Sequence, residues 1–330
     1  MASLGLELKS VTPADWWVGE PLRTVANIIY HINEANAQLD DVEFCRKGFD
    51  AFNLLWTRLY RFQSRNSQLR PEHSESRGDT ASFEELLRVS LGAKEKGRLL
   101  ERNDVAHLVK LTPQVMSHDI LRQEDYDPLD IPARLREKAS QKHSDLTNGY
   151  NKWSKEQTPE SAERAVKKLA DLLFVIRSNI AHGEKTPRGP DLEKVKRDQE
   201  VCYRARPVIE TLFRAIFGHP DRRLAVYGTL RRGQRNHSKL AKLDGEWRHA
   251  HVHGELIERS GLPHFTWDLS GPEVAVEILE SPDLETRWID LDRFEGGSYR
   301  RIWIVVAGDR GELTVANIYA SEDSASGSRS

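Results

Sequence analysis

The 330-residue chain has little cysteine: only Cys45 and Cys202, far apart in the sequence and in no CxxC pair. We therefore expect neither a disulfide framework nor a cysteine zinc site, and a reducing cytoplasm is the expected compartment. No stretch approaches the ~20 apolar residues that a membrane helix needs. The N-terminal segment has no long apolar run, so neither a signal peptide nor a membrane partner is expected.

A strong net charge is also missing, since the formal net charge is −2. This excludes a global field that would draw the chain to nucleic acid or to a membrane, so any RNA contact would need a local basic patch. Charged residues make up 30% and hydrophobic residues 38% of the chain. This balance is typical of a globular protein, and the length favours two domains.

Residues 1–218 have the apolar spacing of an all-α helical bundle. The predicted helices cover about 23–39, 42–62, weaker segments within 82–150, a segment from residue 158, and about 192–217, with a polar loop at 64–81. Thr158 is a favourable N-cap and Pro159 suits the first helical position. The stripe that follows comprises Ala162, Ala165, Val166, Leu169, Leu172, Leu173, Ile176 and Ile180. Pro207 predicts either a kink in the last helix or a new segment.

The pattern changes after Gly218, where apolar residues alternate as in β-strands. The predicted strand faces are Ala250, Val252, Gly254 and Leu256; Val274, Val276 and Ile278; Ile302, Ile304 and Val306; and Leu313, Val315, Asn317 and Tyr319. A short helix is predicted at about 284–294. Residues 219–320 therefore favour a small, closed or nearly closed mixed β-barrel, and 321–330 a disordered tail. The predicted fold class is α+β with two domains.

Two segments of the barrel region carry chemistry. Residues 226–233, VYGTLRRG, lead from a strand into a loop with glycine at both ends, which lets backbone approach a ligand and frees N–H groups to point at an anion. Residues 291–301, LDRFEGGSYRR, place Glu295 at the end of the short helix, before a glycine turn. Between Phe294 and a barrel mouth this carboxyl would lose water, which raises its pKa and suits it to proton transfer.

YGTLRRG, followed about 65 residues later by LDRFEGGSYRR, resembles the gamma-glutamylcyclotransferase-like family. The resemblance spans roughly 222–320, with further matches at 236–237 and 261–263. It implies that a substrate-binding set, Tyr227, Gly228, Thr229, Leu230 and Tyr299, holds a small gamma-glutamyl ligand. It also implies that Glu295 is the general acid/base. The α-amine would attack its own side-chain amide, giving 5-oxoproline and a free amine without cofactor or metal.

Other interpretations of these residues stay open. Glu295 could cap a turn or pair with Arg300 or Arg301, because structural ion pairs are common. A barrel of this kind can also bind a ligand without catalysing a reaction. The alternating histidines His249, His251 and His253 share a strand face and could bind a metal, but no carboxylate partner is evident in the sequence. We expect no metal site.

The run RSNIAHGEK at 177–185 resembles the Arg-x4-6-His motif of HEPN domains, which are helical and in many cases dimeric, metal-independent ribonucleases. The resemblance implies that His182 is an acid or base on a ribose hydroxyl. Arg177 would hold the scissile phosphate, and Asn179 would orient the group. A histidine before a C-cap glycine is also a common helix ending, and non-catalytic HEPN-like modules exist.

Three hypotheses follow for the whole chain. The first is a HEPN-type ribonuclease fused to a gamma-glutamylcyclotransferase-like domain, acting on RNA as a toxin in stress or phage defence. The second is a cyclotransferase whose helical domain only dimerises. The third is a non-enzymatic binding or sensor protein. A homodimer through the helical domain is expected.

Overall fold

The computed structural model describes residues 16–18, 20–65, 79–111, 113–115, 132–181, 192–259 and 261–321. It confirms the α+β class, with a helical N-terminal region and a C-terminal mixed β-barrel that carries a short helix. By contacts the chain divides into two units. One comprises Met1–Trp16 and Glu34–Ile216, and the other Trp17–Asn33 and Phe217–Ser330. The second unit thus contains most of the first helix, which the sequence groups with residues 1–218.

The helical unit is built from seven described helices that follow helix α1, Leu22–Asn36. They are α2 Asp41–Arg65, α3 Asp79–Ser90, α4 Ala93–Leu100, α5 Asn103–Val109, α6 Ala133–Glu156, α7 Pro159–Ala181 and α8 Leu192–Ile216. Two of the helix starts are capped by side chains, as the residue types favour. The Asp40 carboxylate accepts from the N–H of Val42 (2.9 Å) and of Glu43, and the Thr158 hydroxyl accepts from Ser161 N–H.

Helix α7 lies in the core of this unit, in contact with α3, α4 and α6. All eight residues of its predicted apolar stripe are buried. A stacked pair, Phe52 and Phe213, with centroids 4.3 Å apart, joins α2 to α8. Helix α8 continues through Pro207. No helix in the described ranges is long and apolar enough to cross a membrane.

The second unit is a five-stranded barrel with an added hairpin strand. Its strands are β1 Arg223–Val226, β2 Glu246–Arg259, β3 Leu262–Trp267, β4 Glu273–Glu280, β5 Tyr299–Gly308 and β6 Leu313–Ser321. The order β2-β4-β1-β6-β5 closes through a short β2–β5 pairing, at Ala250↔Gly308 and His251↔Ala307, while β3 pairs with β2 outside the ring. Only β1 and β6 run parallel among these pairs.

Both faces of the barrel wall carry apolar side chains. Inside lie Val252, Val276, Ile304 and Ile318 with their neighbours. Outside, helix α9, Leu284–Glu295, and the segment after β1 cover a second cluster that includes Leu224, Leu279, Trp288, Leu291 and Tyr319. The second cluster fixes α9 against β1 and β6, so the C-terminal end of α9 lies beside the C-terminal end of β1.

The edge of β5 is completed by a side chain of α1. The Asn33 amide donates to the Trp303 carbonyl (2.7 Å), and its oxygen accepts from Trp303 N–H (2.9 Å). Since the β2–β5 pairing is confined to the Gly308 end of β5, Asn33 supplies the partners that a neighbouring strand would otherwise give.

Candidate functional site

The 227–233 loop leaves β1, a buried strand between β4 and β6. A turn bond from Arg231 N–H to the Gly228 carbonyl (3.2 Å) begins the loop's curvature. Asn236 then holds Thr229 twice: its N–H donates to the Thr229 carbonyl (3.0 Å) and its amide to the Thr229 hydroxyl (2.9 Å). These hydrogen bonds therefore fix the conformation of the loop.

Three consecutive N–H groups in this loop, those of Gly228, Thr229 and Leu230, have no hydrogen-bond acceptor among the residues that the structure describes. Consecutive unpaired N–H groups in a turn form a site for an anion. Glycine at 228 is required by space, because a Cβ there would lie 2.7 Å from Cγ of Pro263. The loop therefore packs directly beneath the start of β3.

A cavity of about 150 Å³ opens beside this loop. Its walls come from β1, the loop and Asn236, the start of β3, the end of α9, the first residue of β5, and Tyr319 of β6. The lining residues are Ala225, Val226, Tyr227, Gly228, Thr229, Leu230, Asn236, Leu262, Pro263, Phe294, Glu295, Tyr299 and Tyr319. The structure thus brings together all six residues of the barrel that the sequence singles out.

Glu295 is the last residue of α9, where Gly296 ends the helix with a φ of +65°, a conformation that favours glycine. Its carboxylate is half-buried and has no hydrogen-bond or ion-pair partner in the described ranges. Burial raises the pKa of the Glu295 carboxyl from 4.5 to about 7. Arg301 is no partner for it, because its guanidinium makes two hydrogen bonds to Asp292 (2.9 and 3.1 Å).

Three tyrosines line the cavity with their hydroxyls already engaged. Tyr227 donates to the Tyr319 carbonyl (2.7 Å), Tyr299 to the Pro263 carbonyl (3.0 Å), and Tyr319 to the Asp292 carboxylate (2.7 Å). Burial, together with nearby negative charge, raises the pKa of each hydroxyl, so all three stay protonated at neutral pH. Glu295 is therefore the lining group able to exchange a proton near pH 7.

Some lining residues were not identified from the sequence. Tyr319 belongs to a predicted strand face, but alternation alone does not tell whether that face meets the barrel interior or α9. Strand β3, which brings Leu262 and Pro263 over the loop, was not predicted either, since residues 261–263 enter only as a match to the family. The match at Asn236 was the available signal for the residue that fixes Thr229.

Two of the three helical candidates, Arg177 and Asn179, lie on α7. Arg177 lies over the rings of Trp56 and Phe174, at 5.8 and 5.5 Å from their centroids. Asn179 is buried, and its amide donates to the Val115 carbonyl (2.9 Å). His182 lies outside the described residues. The structure therefore does not show these three side chains together.

The alternating histidines of β2 stand on the outer side of the barrel wall. His253 lies within 3.2 Å of the Gly271 carbonyl and 4.0 Å from Glu273. Across all the described ranges, no group of three or more His, Cys, Asp or Glu side chains is placed to hold a metal ion.

The barrel region is similar to a known protein family. Residues 224–329 match the family model described as gamma-glutamyl cyclotransferase, AIG2-like. The match confirms the predicted cyclotransferase-like character of the C-terminal region and covers about a third of the chain. It does not extend to the predicted HEPN-like region. No curated protein matches the chain.

Three solved structures are each similar to 30% of the chain. YkqA from Bacillus subtilis is 27% identical, with a TM-score of 0.26 and 35% of its own chain covered. The uncharacterised protein PH0828 from Pyrococcus horikoshii is 24% identical (TM-score 0.24), and an aig2-like protein from Mus musculus is 24% identical (TM-score 0.25), each with 76% of its chain covered. The chain thus spans about a third of the length of YkqA.

Proposed function

We propose that the barrel domain is a gamma-glutamylcyclotransferase that converts a gamma-glutamyl amine to 5-oxoproline and a free amine. One observation carries this proposal. A half-buried carboxyl, Glu295, shares one small cavity with a turn that presents three N–H groups, and neither the carboxyl nor these groups have a hydrogen-bond partner among the described residues. The family match over 224–329 supports the same chemistry.

The turn would bind the α-carboxylate of the glutamyl group. The N–H groups of Gly228, Thr229 and Leu230 are hydrogen-bond donors without an acceptor, and a carboxylate oxygen accepting from them forms charge-assisted bonds. The walls formed by Leu230, Leu262 and Pro263 are apolar and would contact the methylene groups. The volume suits a glutamyl group, with the amine portion directed toward solvent.

Glu295 would move the protons. The glutamyl α-amine attacks the γ-carbonyl carbon, so a C–N bond forms and closes the five-membered ring. Glu295 takes the proton released by the attacking amine and passes it to the leaving nitrogen as the old C–N bond breaks. A pKa of about 7 suits both steps, because a group that titrates near the working pH can serve as base and then as acid.

The test is release of 5-oxoproline from a panel of gamma-glutamyl amines. Glu295→Gln keeps the shape of the side chain but cannot transfer the proton, so kcat should fall by ~10²–10⁴-fold with little change in KM. Glu258→Gln, at an exposed position of β2, is the matched control and should leave turnover unchanged. Full activity in Glu295→Gln would exclude this residue as the acid/base.

The ribonuclease hypothesis for residues 1–218 stays a prediction, together with the toxin, defence and homodimer roles that depend on it. The partners of Arg177 and Asn179 within the helical unit give each of them a structural role. Cleavage of RNA that is abolished by His182→Ala and retained in Glu295→Gln would support the hypothesis. Cleavage retained in His182→Ala would refute it.

A further inference from the structure

Glu277 is a buried carboxylate on β4 that the chemistry above does not use. Only 5% of its surface is exposed, and in the β1–β4 register it lies opposite Val226, the residue before the loop. Carboxylates are almost never buried to this degree unless they are paired. The partners of Glu277 therefore indicate what this side chain does.

Those partners belong to the far end of the same loop. Oε2 of Glu277 accepts from the backbone N–H of Arg232 (2.9 Å), and Oε1 from its Nε (3.1 Å). Nη2 of Arg232 is also 3.1 Å from Oε1, and Nε of Arg231 is 3.9 Å from Oε2. Burial alone would raise the pKa of Glu277, but the bonds from Arg232 and the neighbouring cations outweigh it and lower the pKa. Glu277 is thus ionised at neutral pH.

Two attachments hold the loop that carries the N–H groups of residues 228–230. At one, Asn236 holds the carbonyl and hydroxyl of Thr229. At the other, Glu277 holds main chain and side chain of Arg232. The second attachment joins strand β4 to the loop, so it restrains the position of the loop at Arg232. Holding binding groups in the bound geometry before the ligand arrives reduces the ordering cost of binding.

We propose that Glu277 is a positioning residue that holds the 227–233 loop so that its N–H groups meet the ligand carboxylate. The inference rests on the proposed function, because the ligand is taken to be a gamma-glutamyl group. Glu277 does not line the cavity and acts through Arg232.

The experiment compares KM with kcat. Glu277→Ala removes the acceptor for Arg232 N–H, so KM for the gamma-glutamyl amine should rise ~10-fold or more while kcat changes less than ~3-fold, as for lost ground-state binding. Glu277→Gln keeps an acceptor oxygen and should raise KM by less than ~5-fold. A merely structural role would lower the active fraction, which reduces kcat and leaves KM unchanged.

Glu280→Ala is the matched control. Glu280 lies on the same strand and pairs with Arg223 (3.0 Å), but neither residue lines the cavity or belongs to the loop, so KM should not change. If Glu277→Ala does not fold, the double variant Glu277→Gln with Arg232→Ala removes the ionic contact and leaves an acceptor for the N–H. KM should then rise at least ~3-fold, and an unchanged KM would overturn the positioning role.

Failure of this inference is separable from failure of the proposed function. Wild-type turnover with an unchanged KM in Glu277→Ala overturns the positioning role and leaves the cyclotransferase activity standing. If the wild type shows no turnover, calorimetric titration with 5-oxoproline decides the matter. Binding weakened at least ~10-fold in Glu277→Ala supports the positioning role, whereas equal affinities, or no binding to the wild type, overturn it.

Discussion

The ionised Glu295 carboxyl should lower the free energy of unfolding at neutral pH, and replacing Glu295 by an uncharged residue should restore it. The carboxyl has a pKa of 4.5 in an open environment and about 7 in the fold, so the folded chain holds this proton more tightly than the unfolded chain. The free energy of unfolding should therefore decrease as pH rises from about 4.5 to about 7. Below this window the carboxyl is neutral in both states, and the penalty is absent.

The magnitude follows from the pKa. One pKa unit corresponds to about 1.4 kcal/mol, so a fully buried group with this change would cost about 3 kcal/mol. Because Glu295 is only half-buried at an open cavity, solvent screens part of this penalty, and we expect about 1–2 kcal/mol. Glu295→Gln should stabilise the chain by this amount at pH 8 and by nearly nothing at pH 4.

Two measurements check the prediction. Carbon-13 NMR of a chain labelled at glutamate should show one carboxyl that titrates near pH 7, and its signal should be missing in Glu295→Gln. Urea unfolding at pH 8 and pH 4 gives the two differences in the free energy of unfolding. A Glu295 carboxyl that titrates near 4.5, or equal effects of the substitution at the two pH values, would refute the desolvated site.

Two further substitutions test the packing of the loop at Gly228 and the hydrogen bonds at the edge of β5. Gly228→Ala places a Cβ against the ring of Pro263, so the loop must move, and affinity for a gamma-glutamyl amine should fall at least ~10-fold. In the control Gly297→Ala the added Cβ has no neighbouring atom in contact, so the affinity should change little. Asn33→Ala leaves the buried N–H and carbonyl of Trp303 without their partner. Urea unfolding should show a free energy of unfolding that is lower by about 2–4 kcal/mol. The control Asn36→Ala, at the exposed end of the same helix, should lower it by less than about 0.5 kcal/mol.

The sequence predicts the fold correctly where residues close together in the chain determine the local structure. The stripe of α7 and the cap at Thr158 depend on residues within a few positions of each other. Strand β3 and the placement of α1 depend on distant partners instead. The Asn33 amide gains its role only because β2 and β5 separate beside Trp303, and no local pattern predicts that separation.

The site residues also divide into those that local sequence patterns predict and those that only the folded chain brings together. A strand running into a glycine turn, and a carboxylate at a helix end, are local signals for the loop and for Glu295. Their meeting at one cavity follows from the order of strands, which places β1 next to β6 and α9 across both. Glu277 looks in the sequence like an ordinary strand residue with alternating neighbours. Only the folded structure shows that its side chain faces the loop, through the bonds to Arg232.

The end of α9 shows how the fold keeps one carboxylate free while satisfying another. Asp292 and Glu295 lie one turn apart, yet Asp292 receives both the Arg301 guanidinium and the Tyr319 hydroxyl. Arg301 is further fixed over the Trp288 ring, at 4.4 Å from its centroid. Because that cation is fully engaged, the half-buried Glu295 gains no compensating charge, and desolvation alone sets its pKa. Asp292 thus orders the helix end, whereas the Glu295 carboxyl is left to exchange a proton near neutral pH.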